Sequence, residues 1–379
     1  MIYLDHNATT RVAPAVRDAM LPALEALYGN PSSIHGAGRL TRNAVDEARR
    51  QVASLVDVHA RQVIFTSGGT EANNLALRGV AQRRGRGRIL VSGIEHSAVL
   101  GPARDLAAQG YTVEEIPVDA RGRVQPETVE SHLGPDVILV SVMLANNETG
   151  ALQDVAEIAR GVRAAGAVMH TDAVQAAGKI PLDFKATGAH LMTLSAHKLY
   201  GPKGIGALIS DGSIDLLPEI SGGGQEAGLR SGTENVAGIL GFGAAAMLAH
   251  ELQSARALQM QRLRDRLEEA LLIRPGITIF GRGTERLPNT CQFAIAGMDG
   301  ETTQMGLDRQ GIAVSTGSAC HSKSAEPSHV LLAMGVDPAV ARSAVRVSFG
   351  DGNTEADVDA LLAALDHLRG VLPTGAVGW

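Results

Sequence analysis

Between about residues 45 and 210, short apolar runs alternate with longer amphipathic stretches. Runs rich in Val, Ile and Leu that end at Gly, Asp or Ser are typical of buried strands, and apolar residues spaced three and four apart indicate helices. The predicted strands are residues 62–66, 88–91, 112–116, 137–142, 168–171, 191–194 and 206–209. The predicted helices are residues 70–84, 97–109, 126–132 and 155–165.

This alternation predicts an α/β fold with a mostly parallel sheet covered by helices on its faces. The later strands follow one another without a clear helix between them, so we expect a mixed sheet. Ligands of such sheets bind beyond the carboxyl ends of the strands. Side chains that come directly after a strand are therefore the first candidates for chemistry.

The pattern changes after residue 234. A long helical stretch covers residues 234–273, and a turn-rich segment, a strand at 291–296 and helices near 302–310, 328–334 and 355–369 follow it. This order predicts a smaller α+β domain. We expect a large domain over residues 15–255 and a small one formed by residues 1–14 and 256–379.

Composition and charge disfavour several classes of protein. The 379 residues carry a formal net charge of −6 and only 3% aromatic residues, which disfavours binding to nucleic acid or to an anionic membrane. The arginines of residues 83–88 end a predicted helix, where cations suit the dipole. The two cysteines and the start of the chain, which lacks the pattern of a signal peptide, predict a cytoplasmic protein.

A glycine-rich turn follows the first strand. Gly69 and Thr70 open a helix, and the free N–H groups of a helix start bind anions such as phosphate. The alternative is an ordinary strand–turn–helix joint with Thr70 as the N-cap.

Two further strands end in polar residues. Asp172 could pair with a protonated ring nitrogen, bind a metal or cap the next turn, and Gln175 lies three residues on. Ser195, His197 and Lys198 follow another strand; a lysine among apolar residues and glycines can act as a nucleophilic amine, whereas most lysines lie on the surface.

The two cysteines differ in their surroundings. Cys291 lies in an apolar strand pattern and is predicted to be a core residue. Cys320 lies in a polar loop beside His321 and Lys323, cations that favour the thiolate, which indicates a reactive thiol rather than an incidental exposed one. The histidines lack metal-ligand spacing, so no intrinsic metal site is predicted.

Together these features resemble the fold-type I enzymes that use pyridoxal phosphate, and further motifs narrow the resemblance to cysteine desulfurases of the NifS and IscS type. The resemblance covers residues 2 to about 349. The motifs that carry it, in chain order, are YLDHNATT, NPSSIHGAG, TSGGTEANN, GIEHSAV, ANNETG, TDAVQAAGK, SAHKLYGPKG, GGGQEAGLRSGT, LPNT and GSACHSKSAEPSHVL.

The resemblance implies roles for the cofactor site. Lys198 would hold pyridoxal phosphate covalently, Asp172 would pair with its ring nitrogen, and His96 would stack on the ring and move protons. The remaining contacts would come from Gln175 and Asn147 around the ring oxygen and from Gly69, Thr70, Ser195 and His197 around the phosphate.

It also implies a substrate and partners. Arg346 and Asn147 would bind the carboxylate of L-cysteine, and Cys320 would take its sulfur as a persulfide, leaving L-alanine. Thr233 would reach the phosphate of a partner subunit in a homodimer. The sulfur would pass to an acceptor such as a NifU- or IscU-type scaffold for iron–sulfur cluster assembly, so Cys320 could contact a cluster transiently.

Three alternatives stay open on the sequence. The first is a different pyridoxal phosphate reaction, an aminotransferase or β-lyase that needs no protein thiol; Cys320 discriminates against it. The second is a non-catalytic scaffold of a sulfur system, against which the presence of Lys198, His96 and Cys320 argues. The third is a nucleic-acid-binding module based on residues 83–88.

Overall fold

The computed structural model describes residues 1–316 and 326–371. Its strands are β1 (Ile2–Tyr3), β2 (Val63–Thr66), β3 (Arg88–Ser92), β4 (Thr112–Ile116), β5 (Val137–Ser141), β6 (Val168–Asp172), β7 (Leu191–Ser195), β8 (Gly206–Ser210), β9 (Ile277–Phe280), β10 (Thr290–Ile295), β11 (Ile312–Ala313) and β12 (Ala344–Ser348). Its helices are α1 (Pro14–Glu25), α2 (Gly36–Ser54), α3 (Gly69–Arg84), α4 (Ser97–Ala108), α5 (Pro126–His132), α6 (Val155–Ala164), α7 (Phe184–Thr187), α8 (Val236–Leu272), α9 (Gly300–Asp308), α10 (His329–Ala333), α11 (Pro338–Arg342) and α12 (Glu355–Val371).

The large sheet has the strand order β2-β8-β7-β6-β5-β3-β4. Only β8 runs antiparallel to its neighbours within this sheet, so the expectation of a mixed, mostly parallel sheet is confirmed. The ends of the predicted strands in this sheet agree with the observed ones to within one residue. The central strands carry a strong signal because they are buried on both faces and therefore read as continuous apolar runs.

Helices cover both faces of the sheet, and alternate residues of one strand join different cores. Met169 of β6 packs in the core formed with α1, α2 and α8. Its neighbour Val168 packs in the core formed with α3 and α4. This alternation follows from the two-residue period of a strand.

Helices α1 and α2 were not predicted from the sequence. Much of α2 is polar, with an exposed face that includes Arg39 and Arg50, and only a narrow stripe such as Val45 and Val52 is buried. A short apolar stripe on a charged helix gives a weak signal, although the buried stripe packs against α8.

A second unit contains the antiparallel sheet β12-β10-β9, covered by α12 and the end of α8. The two-residue strand β1 pairs with β11, and Leu4 is buried in the core of this unit. Strands β9 and β12 were not predicted, since β12 carries Arg346 at its centre. The start of the chain therefore lies beside residues more than 300 positions away.

Helix α8 runs through both units. Its first half contributes Ile239 and Phe242 to the large core, and its second half contributes Met260 and Leu267 to the small one. By length and composition alone this helix could cross a membrane, yet 44% of its most apolar window is buried within the protein. The predicted division at residues 255 and 256 falls inside this helix and stays a prediction.

The arginines near residue 84 lie where the sequence places them, at the end of α3. Arg83 pairs with Asp215, and Arg88 pairs with Glu114 and Asp136. The interpretation of this stretch as a helix C-terminus is therefore confirmed.

Candidate active site

Parallel strands bring distant residues to one edge of the large sheet. Strands β2, β3, β5, β6 and β7 all run in the same direction, so the residues after their carboxyl ends meet. A cavity of about 320 Å³ lies at this edge. Its lining includes ten of the predicted site residues, namely Gly69, Thr70, His96, Asn147, Asp172, Gln175, Ser195, His197, Lys198 and Arg346.

One end of the cavity is built to receive an anion. Helix α3 begins at Gly69 after Gly68, which offers no side chain to its first N–H groups. The alternative interpretation, with Thr70 as the N-cap, is wrong in this detail, because Thr70 lies inside the first turn. A Cβ atom on Gly69 would lie 3.0 Å from Val174 Cγ2, so glycine is what lets the backbone lie this close to β6 and β7.

Two side chains complete this end. Ser195 Oγ is buried and has no hydrogen-bond partner within residues 1–316 and 326–371. His197 Nδ1 lies 3.1 Å from Thr9 Oγ1, and burial, followed by the nearby Lys198 charge, lowers the pKa of His197 to about 4. The ring is therefore neutral near pH 7, and Ser195 has an unused hydroxyl for a ligand.

Asp172 is fixed at the end of β6. Its Oδ2 accepts a hydrogen bond of 2.7 Å from Asn73 Nδ2, and its Oδ1 accepts one of 2.9 Å from the Val174 amide. The second contact is the turn cap that the sequence offered as an alternative role. Because Asp172 also lines the cavity, the same carboxylate can both cap the turn and bind a ligand.

Lys198 follows β7 in a short 3-10 turn and is half-buried. Its Nζ donates to the backbone carbonyls of Asn7 and, at 2.8 Å, Ala8. These carbonyls belong to the first residues of the chain, and Asn7 and Ala8 both line the cavity. The amine is therefore held by backbone oxygens and lies beside the cavity.

His96 begins α4 as its N-cap. Its Nδ1 accepts a 3.1 Å hydrogen bond from the Ala98 amide. Burial lowers the pKa of His96, and the Asp172 charge opposes this effect. An imidazole with Nδ1 accepting carries its proton on Nε2 when neutral, which suits a ring that stacks and exchanges protons.

Arg346 closes the other end from the small unit. Its guanidinium donates 2.9 Å to the Asn147 carbonyl and 2.7 Å to Asp5 Oδ1. The Arg346 Nε is buried without a hydrogen-bond partner among the described residues. A fixed guanidinium with an unused donor suits a carboxylate ligand.

Asn7, Asn73 and Asp5 were missed as site residues. Each lies within or next to a motif that the sequence analysis quotes, YLDHNATT for Asp5 and Asn7 and TSGGTEANN for Asn73. Their hydrogen bonds join residues 99 to 341 positions apart, as between Asn73 and Asp172 or Asp5 and Arg346. Local spacing does not reveal such pairs.

One predicted residue, Thr233, does not line this cavity. Thr233 is exposed beside a separate depression formed with Ser67 and Arg230. Cys320 lies outside the described residues. Cys291, in contrast, is fully buried in β10, and burial raises its pKa well above the usual range, so its interpretation as a core residue is confirmed.

The chain is similar to known proteins over nearly its whole length. Residues 2–361 match the model of the family described as Aminotransferase class-V. A cysteine desulfurase of Cereibacter sphaeroides is 46% identical over 99% of this chain and 98% of its own length. The chain belongs to the cysteine desulfurase family. A second member, cysteine desulfurase IscS 1 of Archaeoglobus fulgidus, is 42% identical over 98% of this chain and 99% of its own length.

Two solved structures share the fold over most of the chain. A NifS-like protein superposes with a TM-score of 0.92 at 38% identity, covering 98% of this chain and all of its own. A structure described as SspA in complex with cysteine gives a TM-score of 0.84 at 31% identity, covering 93% of this chain and all of its own. The fold-type I architecture expected from the motifs is thereby confirmed.

Proposed function

We propose that this cysteine desulfurase binds pyridoxal 5'-phosphate in the cavity at the edge of the large sheet and removes sulfur from L-cysteine. One observation carries the proposal: Lys198, Asp172, His96 and Arg346, from four separate segments of the chain, line one cavity. An amine, a carboxylate, a neutral imidazole and a guanidinium are together the groups that this chemistry needs.

The residues present fit the cofactor. The free N–H groups at the start of α3 and the unused Ser195 hydroxyl suit a phosphate. Asp172, held by Asn73 and the Val174 amide, supplies an acceptor for a protonated ring nitrogen. Bound there, pyridoxal phosphate would supply an electron sink for the negative charge that develops at the substrate Cα.

The chain's own residues supply the binding and the proton transfers. Arg346, fixed by Asp5 and the Asn147 carbonyl, would bind the substrate carboxylate. Lys198 Nζ would anchor the cofactor and, once released, take the Cα proton. His96, whose pKa is lowered, would be neutral at working pH and able to accept or return a proton.

Cys320 would be the sulfur acceptor. Its thiolate attacks the sulfur of cysteine, an S–S bond forms, the C–S bond breaks, and its electron pair and a proton go to the substrate Cβ. L-Cysteine and the protein thiol thus become L-alanine and a protein persulfide, and no external oxidant or reductant is needed. Cys320 is the fitting choice because Cys291 is fully buried in the small-unit core.

The proposal includes partners and a compartment. The exposed Thr233 beside Ser67 and Arg230 supports a homodimer in which Thr233 reaches the partner's phosphate. The persulfide would pass to an acceptor protein such as an iron–sulfur scaffold or another thiolation relay. A cytoplasmic location agrees with two cysteines in 379 residues.

The test compares products from L-cysteine and a dithiol. The wild type should release equal amounts of alanine and sulfide, and Cys320→Ala should lose both. Cys291→Ala is the matched control, since it removes the other thiol of the chain and should retain both products once folded. Pyruvate and ammonia as products, or full activity of Cys320→Ala, would overturn the proposal in favour of a lyase or a transaminase.

A further inference from the structure

Lys179 is a buried lysine to which the proposed reaction gives no task. It is only 5% exposed and has no carboxylate partner within the described part of the chain. Its Nζ donates 2.9 Å to Asn7 Oδ1 and 2.7 Å to Gln175 Oε1. Burying an amine is costly, so a lysine at this depth is unusual unless its hydrogen bonds matter.

These two bonds determine which way the Gln175 amide points. The Lys179 Nζ donates to Gln175 Oε1, so the Gln175 atom beside the lysine is the carbonyl oxygen. The Gln175 Nε2 then donates 2.9 Å to the Asn7 carbonyl, an oxygen that only accepts. Both ends of the amide therefore agree on one orientation.

Gln175 lines the cavity, and its Nε2 carries a second N–H. With the oxygen held by Lys179, Gln175 offers a donor and not an acceptor to whatever occupies the cavity. Asn7 stabilises the arrangement from the other side, since its carbonyl also accepts from Lys198 Nζ and its Oδ1 accepts a second bond from Asn289.

We propose that Lys179 is a positioning residue that holds the Gln175 amide so that its N–H points at the ring oxygen of the cofactor. The inference rests on the proposed function, because it needs pyridoxal phosphate in the cavity. Either protonation state of Lys179 has the two hydrogens that the bonds require. Burial, and then the charges of Lys198 and Arg346, lower the pKa of Lys179 well below its usual value.

The orientation of the Gln175 amide can be tested by a pH titration of the visible absorption band of the bound cofactor. An N–H donor stabilises the ionised ring oxygen, so its loss raises the pH at which the chromophore loses its proton. Lys179→Met should raise that pH by roughly one unit, the effect of about one hydrogen bond. The other ionisable groups around the site, unchanged in these variants, are Asp5, His96, Asp172, His197, Lys198 and Arg346.

A double-mutant cycle separates positioning from direct electrostatics. If Lys179 acts through Gln175, the double variant Lys179→Met/Gln175→Ala should titrate like Gln175→Ala alone. Additive shifts, or an unshifted Lys179→Met, would overturn the proposal. Lys185→Met, on the exposed face of α7, is the control and should titrate as wild type.

A second variant covers the case in which Lys179→Met does not fold. Gln175→Glu leaves Lys179 a carboxylate to pair with but removes the N–H donor, so it should raise the titration at least as far as Gln175→Ala. An unshifted Gln175→Glu would contradict the inference. Failure of the proposed function is distinct, because the wild type itself would then bind no cofactor and show no visible band.

Discussion

The two ends of the cavity are prepared for their ligands in opposite ways. At the end near Gly69, the donors are left open: the start of α3 has no side-chain cap, and Ser195 Oγ has no hydrogen-bond partner in the described ranges. At the other end, the Arg346 guanidinium is already held by Asp5 and the Asn147 carbonyl. The end near Gly69 therefore has hydrogen-bond donors without internal partners, whereas the Arg346 side chain at the other end is already held in place by the protein.

The difference suits two kinds of ligand. A cofactor that stays bound supplies the missing partners of open donors permanently, so those groups need no internal substitute. A substrate that enters and leaves in every cycle needs an anchor that keeps its geometry when the site is empty. Asp5 provides this for Arg346, whose Nε makes no hydrogen bond within the described residues.

The largest effect is expected at the prepared end. Arg346→Ala should lower kcat/KM for L-cysteine by roughly 10²–10³-fold, because truncating one partner of a buried charge pair costs about 2–5 kcal/mol. The cofactor band should persist, because Arg346 lies at the other end. Steady-state kinetics would check this, with Arg262→Ala as a control at an exposed arginine. Unchanged KM and kcat in Arg346→Ala would contradict the contrast drawn between the two ends.

A smaller effect is expected at the open end. Ser195→Ala should weaken pyridoxal phosphate binding by roughly tenfold to a hundredfold, since hydrogen bonds to charged groups contribute about 1.5–3 kcal/mol. The thermal stability of the cofactor-free protein should not fall, because the hydroxyl has no internal partner among the described residues. Fluorescence titration and thermal melts of the apoprotein measure the two quantities.

Ser141→Ala gives the reciprocal control. Its hydroxyl is buried 2.8 Å from His170 Nδ1, beneath the site. This variant should lose about 1 kcal/mol of stability and keep its cofactor affinity. If Ser195→Ala instead destabilised the apoprotein as much as Ser141→Ala, the Ser195 hydroxyl would be part of the framework and not an open donor.

The smallest effect on ligand binding is expected at Glu95, which is fully buried. Burial raises the pKa of Glu95 to about 8, and its Oε1 accepts from Ser92 Oγ and the Met143 amide. A folded-state pKa above the unfolded one means that the native protein binds more protons between about pH 5 and 8, so stability falls as pH rises through that window. The slope is at most about 1.4 kcal/mol per pH unit.

Glu95→Gln retains the accepting oxygen and should flatten this slope while leaving cofactor and substrate affinities unchanged. Denaturant unfolding of both proteins at several pH values would measure it. An equal slope in wild type and variant would show that Glu95 is not the group that titrates.

The same contrast explains what the sequence could predict. Gly69, Ser195 and Lys198 each lie at the end of a buried strand or within three residues of it, so their local pattern and the parallel sheet suffice to bring them together. The pairing of Asp5 with Arg346 spans 341 positions and depends on how the first residues cross from the small unit. Helix α2 was missed for a related reason, since its burial depends on α8.

The roles of Lys198, Asp172 and Cys320 came from the order of motifs and not from spacing. From the local pattern alone, Asp172 could either cap a turn or bind a ligand. The structure shows that its carboxylate caps the turn at Val174 and also lines the cavity. Only three-dimensional contacts reveal that one side chain has both roles.

The most direct test of the central claim is a single turnover followed by mass spectrometry of the chain's cysteine peptides. The protein is mixed with one equivalent of L-cysteine without reductant, and alanine is measured in parallel. The account predicts that one sulfur atom is added to the peptide that contains Cys320, together with one alanine. Alanine without added sulfur at Cys320, or sulfur on the buried Cys291, would contradict it.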